Sequence, residues 1–309
     1  MAFSLTDVVS ISDFSREDIE AVLKKAAEME KTPPEKKKNV LENKTVAVLF
    51  FEPSTRTRLS FETAAQNLGG KIIGFADAGV SSTAKGESLS HTIRVVSGYA
   101  DMIVMRHSIE GAARRAAEVS DKPVINGGDG ANQHPTQTLL DLYTIQKEFK
   151  KIDGINIGLL GDLKYGRTVH SLMYALANFK GVKVYCIAPE SLRMPASIID
   201  DTADKLQIKE TSKLQEFLPK LDVLYATRIQ KERFVDEFEY EQIKNVFVLG
   251  KEILRNAKKG FKLMHPLPIV NEIKPELDDS EAALYFQQAK NGIPVREALL
   301  AMLRDVKKK

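Results

Sequence analysis

At 309 residues the chain is long enough for two domains of ordinary size, and 43% hydrophobic with 28% charged residues is the composition of a globular protein. A net charge of +3 without a long basic block argues against a nucleic-acid partner, and no apolar run approaches the roughly 18 residues that a membrane span needs. A single cysteine, Cys186, rules out an intrachain disulfide, no Cys/His cluster suggests a metal, and the start lacks a signal-peptide pattern, so the expected location is cytoplasmic.

Ser15-Arg16-Glu17-Asp18 has the capping-box spacing, with Asp18 as a short substitute for Glu. Phe14 and Ile19 are placed as a hydrophobic staple, and Ile19, Val22, Leu23, Ala26 and Met29 form one helical face ahead of Pro33-Pro34. Strands are then expected at 45–51, 71–75, 102–105 and 123–126, with helices near 56–68, 88–100 and 109–119. That alternation is the rhythm of a parallel sheet covered on both faces. The stretch 134–149 reads as one long helix able to bridge two domains. After Lys150–Gly154 the rhythm restarts, with strands expected at 155–160, 182–188, 222–227, 246–249 and 261–264 and a last helix near 294–305. Lys307-Lys308-Lys309 reads as a solvated tail.

The chemistry-bearing stretches sit at the seams of this pattern. Ser54-Thr55-Arg56-Thr57 falls where a strand hands over to a helix. Unpaired N–H groups, three hydroxyls and an arginine there suit an anion, phosphate above all, although a plain cap with solvated arginines has the same local sequence. Ser81–Ser88 is a small polar loop carrying Lys85; such loops are often plain surface, and they also close over anions. Arg106 ends the third strand, and ligands of open α/β sheets bind outside the carboxyl ends of strands. His134 and Gln137, after the glycine-rich turn from Gly127, are spaced to share one face of a first helical turn. In the second half, Arg167 and Arg228 follow strands and could fork onto carboxylates. Gly158-Leu159-Leu160-Gly161-Asp162 invites a dinucleotide reading, but its spacing is not G-x-G-x-x-G.

The full string from Phe50 to Glu62, F-x-E-x-S-T-R-T-R-x-S-F-E, resembles the carbamoyl-phosphate signature of the aspartate and ornithine carbamoyltransferases, and the similarity runs from Ser12 to about Leu303. His265-Pro266-Leu267-Pro268, with no cysteine nearby and no Ser-Met-Gly loop, is similar to the aspartate branch. The resemblance implies an α/β fold of two domains, each a parallel β-sheet flanked by helices, joined by long interdomain helices. Residues 1–135 with 292–309 would bind carbamoyl phosphate and 136–291 would bind aspartate. It implies carbamoyl transfer to the amine of L-aspartate, an early step of pyrimidine synthesis, without metal or cofactor. Transfer to another amino acid such as ornithine, or a non-catalytic paralogue, are the alternative readings.

Residue by residue, the resemblance implies that Ser54, Thr55, Arg56, Thr57 and Arg106 hold the phosphate end. Lys85, with Ser82 or Ser81, would be donated by a neighbouring subunit of a homotrimer. Thr57, Arg106 and His134 would stabilise the oxyanion, making Arg56, Thr57, Lys85, Arg106 and His134 the catalytic set. Gln137 and the backbones of Leu267 and Pro268, across a cis bond, would hold the carbamoyl NH2. Arg167, Arg228 and Gln230 would take the aspartate carboxylates, and Glu52 would pair with Arg167 and Arg233 in a closed state. A separate regulatory chain is left open. The chain departs from the family at Ile269 and Asn271, where an arginine and an aspartate are usual, and the expected account is joint loss of an ion pair.

Overall fold

The computed structural model describes residues 3–77, 79, 86–229, 240–241 and 243–308. The chain divides into two compact units, Met1–Tyr143 with Asn291–Lys309, and Thr144–Lys290.

In the first unit α1 (Arg16–Lys31) is capped as its sequence requires: Ser15 Oγ accepts from Asp18 N–H and Asp18 Oδ2 accepts from Ser15 N–H. A short turn, α2 (Pro34–Lys37), leads to β1 (Thr45–Phe50) and α3 (Thr55–Asn67). β2 (Lys71–Phe75), α4 (Leu89–Ser97), β3 (Met102–His107), α5 (Ala112–Val119) and β4 (Val124–Asp129) follow. The sheet order is β2-β1-β3-β4, with every pairing parallel. β1 and β3 are apolar almost throughout because parallel strands between helical layers are buried on both faces. Leu49, Phe51, Ile103 and Met105 turn to one side, against Ala113 and Ala116 of α5.

β4 lies at the sheet edge, yet all its residues are buried. The N-terminal segment covers it: Val8 N–H donates to Val124 C=O and Asn126 N–H returns to Val8 C=O, both at 2.8 Å. Asp7 accepts from Val124 N–H and from Lys308 Nζ, which also donates to Ala117 C=O. Lys308 therefore departs from the expected solvated tail: two of its three ammonium donors are taken up, by Asp7 of the N-terminal segment and by the Ala117 carbonyl of α5.

The second unit contains β5 (Asn156–Leu160), α7 (Arg167–Leu176), β6 (Lys183–Ile187), α8 (Ala196–Thr202), β7 (Gln207–Thr211), the short α9 (Leu214–Phe217) and β8 (Val223–Ala226). It closes with α10 (Glu252–Asn256) and β9 (Lys262–Met264). The order β7-β6-β5-β8-β9 is again parallel throughout. α6 (Pro135–Phe149) and α11 (Tyr285–Leu303) each contain a point where the chain passes from one unit to the other.

Three elements differ from the sequence expectation. β7 was not expected: Lys209 and Glu210 face solvent, as an edge strand's charges do, and they mask the pattern. The apolar run 246–249 is not a strand, since only Leu249 bridges, to Ile273. α11 begins at Tyr285 rather than near 294; Pro294 lies inside it, and the buried face of Val295, Leu299, Leu300 and Leu303 outweighs the missing N–H.

Candidate active site

In the first unit the carboxyl ends of β1 and β3 are in register, Phe50 opposite Arg106, and Phe51 N–H donates to Arg106 C=O at 2.8 Å. Glu52 is thereby brought beside Arg106, and its Oε2 lies 3.2 Å from Nη2. Arg106 is only 8% exposed, donates through Nη1 to Gly127 C=O at 3.3 Å, and keeps Nε–H buried without an acceptor among the described residues. Burial holds its guanidinium below the ordinary arginine value; Glu52 pulls it back up and Arg56 pushes it further down.

α3 starts directly after β1 because Ser54 is extended and Thr55 begins helical backbone. Its first turn closes with Arg58 N–H to Ser54 C=O at 3.1 Å. The N–H groups of Thr55, Arg56 and Thr57 precede that bond and have no intrahelical acceptor. Ser54 makes no side-chain capping bond, so its hydroxyl is not spent on the helix. Thr57 is buried, and a Cβ at Gly127 would stand 3.5 Å from Thr57 Cγ2 and 3.7 Å from Arg106 Cβ. Thr57, Arg106 and Gly127 thus meet at one point. Arg56 stands beside them, largely exposed, and partial loss of hydration shifts its guanidinium down. Two arginines, free backbone N–H groups and three hydroxyls make an anion cradle.

His134 is buried just before α6, and its C=O accepts from Gln137 and Thr138 N–H. Asp129, missed in the sequence, fixes the turn that delivers it. Its Oδ1 accepts from Asn126 Nδ2 and Gln133 N–H, and its Oδ2 from Asn132 Nδ2 and Gly111 N–H. The Asn-Gly-Gly-Asp string carried that signal, hidden by its glycines. His107 is tied into the local structure: Nδ1 accepts from Ile109 N–H and the ring packs on Phe51.

In the second unit the loops after β5 and β8 touch. Gly161 has φ +111°, and a Cβ there would overlap Thr227 C=O. Asp162 N–H donates to Thr227 Oγ1 at 3.1 Å, and Asp162 Oδ1 accepts from Tyr165 N–H. Arg167, the first residue of α7, and Arg228, next to Thr227, are thus carried by adjoining loops, both half-buried. Gly158 packs in the core, where a Cβ would press on Leu221 and Leu224, so it serves packing rather than a nucleotide.

The loop after β9 has its own frame. The Leu267–Pro268 bond is cis, as the resemblance implied, and Leu267 has φ +60°. A left-handed leucine costs about 1–3 kcal/mol and needs anchoring. Leu267 N–H donates to His265 Nδ1 at 2.8 Å, which leaves the ring's proton on Nε2, 2.7 Å from Glu272 Oε1. Glu272 Oε2 accepts from Val270 and Asn271 N–H. Ile269 packs on the unit's core, and Asn271 Nδ2 donates to Asn245 Oδ1 at 2.7 Å and to Lys244 C=O.

Ser81, Ser82, Lys85, Gln230 and Arg233 lie outside the described residues. Among the described residues, no group of three or more His, Cys, Asp or Glu is placed to hold a metal ion, and no helix is long and apolar enough to cross a membrane.

Residues 6–147 match the family model described as aspartate/ornithine carbamoyltransferase, carbamoyl-P binding domain, and residues 153–303 match the Asp/Orn binding domain of the same family. The chain is 59% identical over 302 residues, 97% of each chain, to a protein of Thermococcus kodakarensis named aspartate carbamoyltransferase catalytic subunit. A relative of the same name from Archaeoglobus fulgidus is 55% identical over 95% of this chain and 97% of its own. Among solved structures, the catalytic subunit of M. jannaschii aspartate transcarbamoylase superposes with a TM-score of 0.90 at 52% identity, covering 97% of this chain and 98% of that one. Aspartate transcarbamoylase from Trypanosoma cruzi, in complex with carbamoyl phosphate and aspartate, gives a TM-score of 0.90 at 38% identity over 96% of both chains. With both family domains present in tandem and relatives matched along almost its whole length, the chain belongs to the aspartate/ornithine carbamoyltransferase family.

Proposed function

We infer that this protein transfers the carbamoyl group of carbamoyl phosphate to the amine of L-aspartate, giving N-carbamoyl-L-aspartate and phosphate. The observation that carries the inference is the match of nearly the whole chain, at 59% identity, to an aspartate carbamoyltransferase catalytic subunit. The anion cradle of the first unit fits that reaction, whose donor is a small acyl phosphate, the mixed anhydride of carbamic and phosphoric acids.

The chemistry needs orientation and charge neutralisation. The neutral amine of aspartate attacks the carbonyl carbon, a tetrahedral oxyanion forms, the C–O bond to phosphate breaks, and the departing phosphate takes the proton that the amine nitrogen loses. The residue roles are part of the proposal. Ser54, Thr55, Arg56, Thr57 and Arg106 take the phosphate, with Lys85 and Ser82 or Ser81. Thr57, Arg106 and His134 stabilise the oxyanion. Gln137 and the backbones of Leu267 and Pro268 hold the NH2, and Arg167, Arg228 and Gln230 take the two carboxylates. Five cations then face substrates that bring about three to four negative charges. Holding both in near-attack geometry contributes on the order of 7–11 kcal/mol.

The Glu52–Arg106 pair gives Glu52 a part before phosphate arrives: it is the counter-ion of a half-dry cation that the substrate must displace. Its pairing with Arg167 and Arg233 in the liganded enzyme is the complementary half of the proposal. The assembly proposed is a homotrimer whose sites share Lys85, and the relatives' name, catalytic subunit, speaks for a separate regulatory chain. Pyrimidine synthesis in the cytoplasm goes with this reaction. Purified protein given carbamoyl phosphate and L-aspartate should release one phosphate for each N-carbamoyl-L-aspartate formed. Phosphate released without that product would overturn the inference.

A further inference from the structure

These roles leave one buried cation without a task. Arg296 of α11 is 3% exposed, and its guanidinium lies over the Phe61 ring of α3, 4.9 Å from the centroid. Gly292, one turn earlier, is where it is because a Cβ there would overlap Arg296 Nη1 and press on Leu140 of α6. Arg296 is therefore folded against α6 beside Leu140. The next residue of α6 is Asp141, whose side chain is fully buried. Burial lowers the Arg296 guanidinium and the charge of Asp141 works against it, leaving the group at about 10. A buried cation of this kind persists where a carboxylate offsets it.

Asp141 also accepts a hydrogen bond from within α6. Gln137 Nε2 donates to Asp141 Oδ1 at 2.9 Å, one helical turn away on the same face of α6. An ionised carboxylate only accepts hydrogen bonds. The amide nitrogen of Gln137 must face Asp141, which turns its oxygen the other way. The group proposed to meet Gln137 is a carbamoyl NH2, a pure donor towards it. An amide in the opposite orientation would oppose NH2 to NH2.

We propose that Asp141, charge-fixed by Arg296, is a positioning residue that locks the Gln137 amide oxygen outward and so makes the site select a carbamoyl phosphate over an acyl phosphate of the same shape. The inference rests on the reading of the site given above and adds to it the source of selectivity at the transferred group.

The test compares carbamoyl phosphate with acetyl phosphate, which replaces NH2 by CH3 and keeps the phosphate. Dissociation constants for both are measured on the full-length parent, Gln137→Ala, Asp141→Asn, and the double variant Asp141→Asn/Arg296→Met, which strands no charge if the single change fails to fold. The parent should prefer carbamoyl phosphate. Each Asp141 variant should lose about tenfold of that preference, as Gln137→Ala does, with acetyl phosphate affinity unchanged within about twofold. A folded Asp141 variant that keeps the parent's preference, or weakens both ligands by one factor, overturns the inference. Failure of both variants to fold would assign the pair to stability and count against it equally. Should the parent itself show no preference, the reading of the site fails rather than the part given to Asp141.

Discussion

Glu272 is the residue on which the cis-proline loop turns. Burial pushes its carboxyl up, but the His265 N–H and backbone N–H groups, including that of Asn271, outweigh burial and hold it below its ordinary 4.5. A carboxyl with a lowered folded value stabilises the fold above its unfolded value, and that contribution is lost as pH falls through the folded value. Glu272→Gln should therefore melt below the parent at neutral pH, and the gap should narrow as pH drops below 4.5. Thermal scans across that window would contradict the account if the gap stayed constant. The neighbouring departures change meaning in this setting. Ile269 fills the edge of a core, and Asn271 donates to Asn245 and Lys244, so both positions are put to a use other than an ion pair. That use depends on a contact far along the chain, which no reading of residues 269 and 271 alone could supply.

At the scale of elements, strand ends decide where chemistry can happen, and this was legible because buried parallel strands are nearly continuous apolar runs. Thr45–Phe50, Met102–His107 and Asn156–Leu160 announce themselves, and Arg106 and the Ser54 cap follow from where they stop. β7 did not, because an edge strand has solvent on one side and carries charge there. The run 246–249 misled for the opposite reason: apolar content without ladder partners is not a strand. The contact between the β5 and β8 loops is equally invisible in sequence, yet it carries Arg167 and Arg228. Its tightest point is Gly161, with φ +111° and the Thr227 carbonyl where a side chain would go. Gly161→Ala should cost roughly 1–3 kcal/mol or more in stability. Gly181→Ala, at φ +68° with nothing nearer than 3.8 Å, pays only the backbone part. Equal losses of melting temperature in the two variants would show that the loop contact is not what constrains Gly161.

For the whole molecule, both units repeat one plan, a parallel sheet with functional groups at the carboxyl ends of its strands. The first carries an anion cradle and the second carries Arg167 and Arg228 on adjoining loops, which suits the proposed division of labour between a phosphorylated donor and a dicarboxylate acceptor. Sequence revealed most of the cradle because Ser54 to Thr57 are contiguous, while Arg106 joins them through the register of β1 and β3. It concealed Asp129, Asp141 and Arg296, whose significance lies in partners brought together only by folding. The central claim is that the acceptor is L-aspartate, and it is tested most directly by an acceptor panel. The purified protein is assayed with saturating carbamoyl phosphate against L-aspartate, L-ornithine, N-acetylornithine and putrescine. Arginines suited to two carboxylates repel a second amine, so kcat/KM should be measurable for L-aspartate and lower by about a hundredfold or more for each of the others. Turnover of L-ornithine at a kcat/KM comparable with that of L-aspartate would contradict the account.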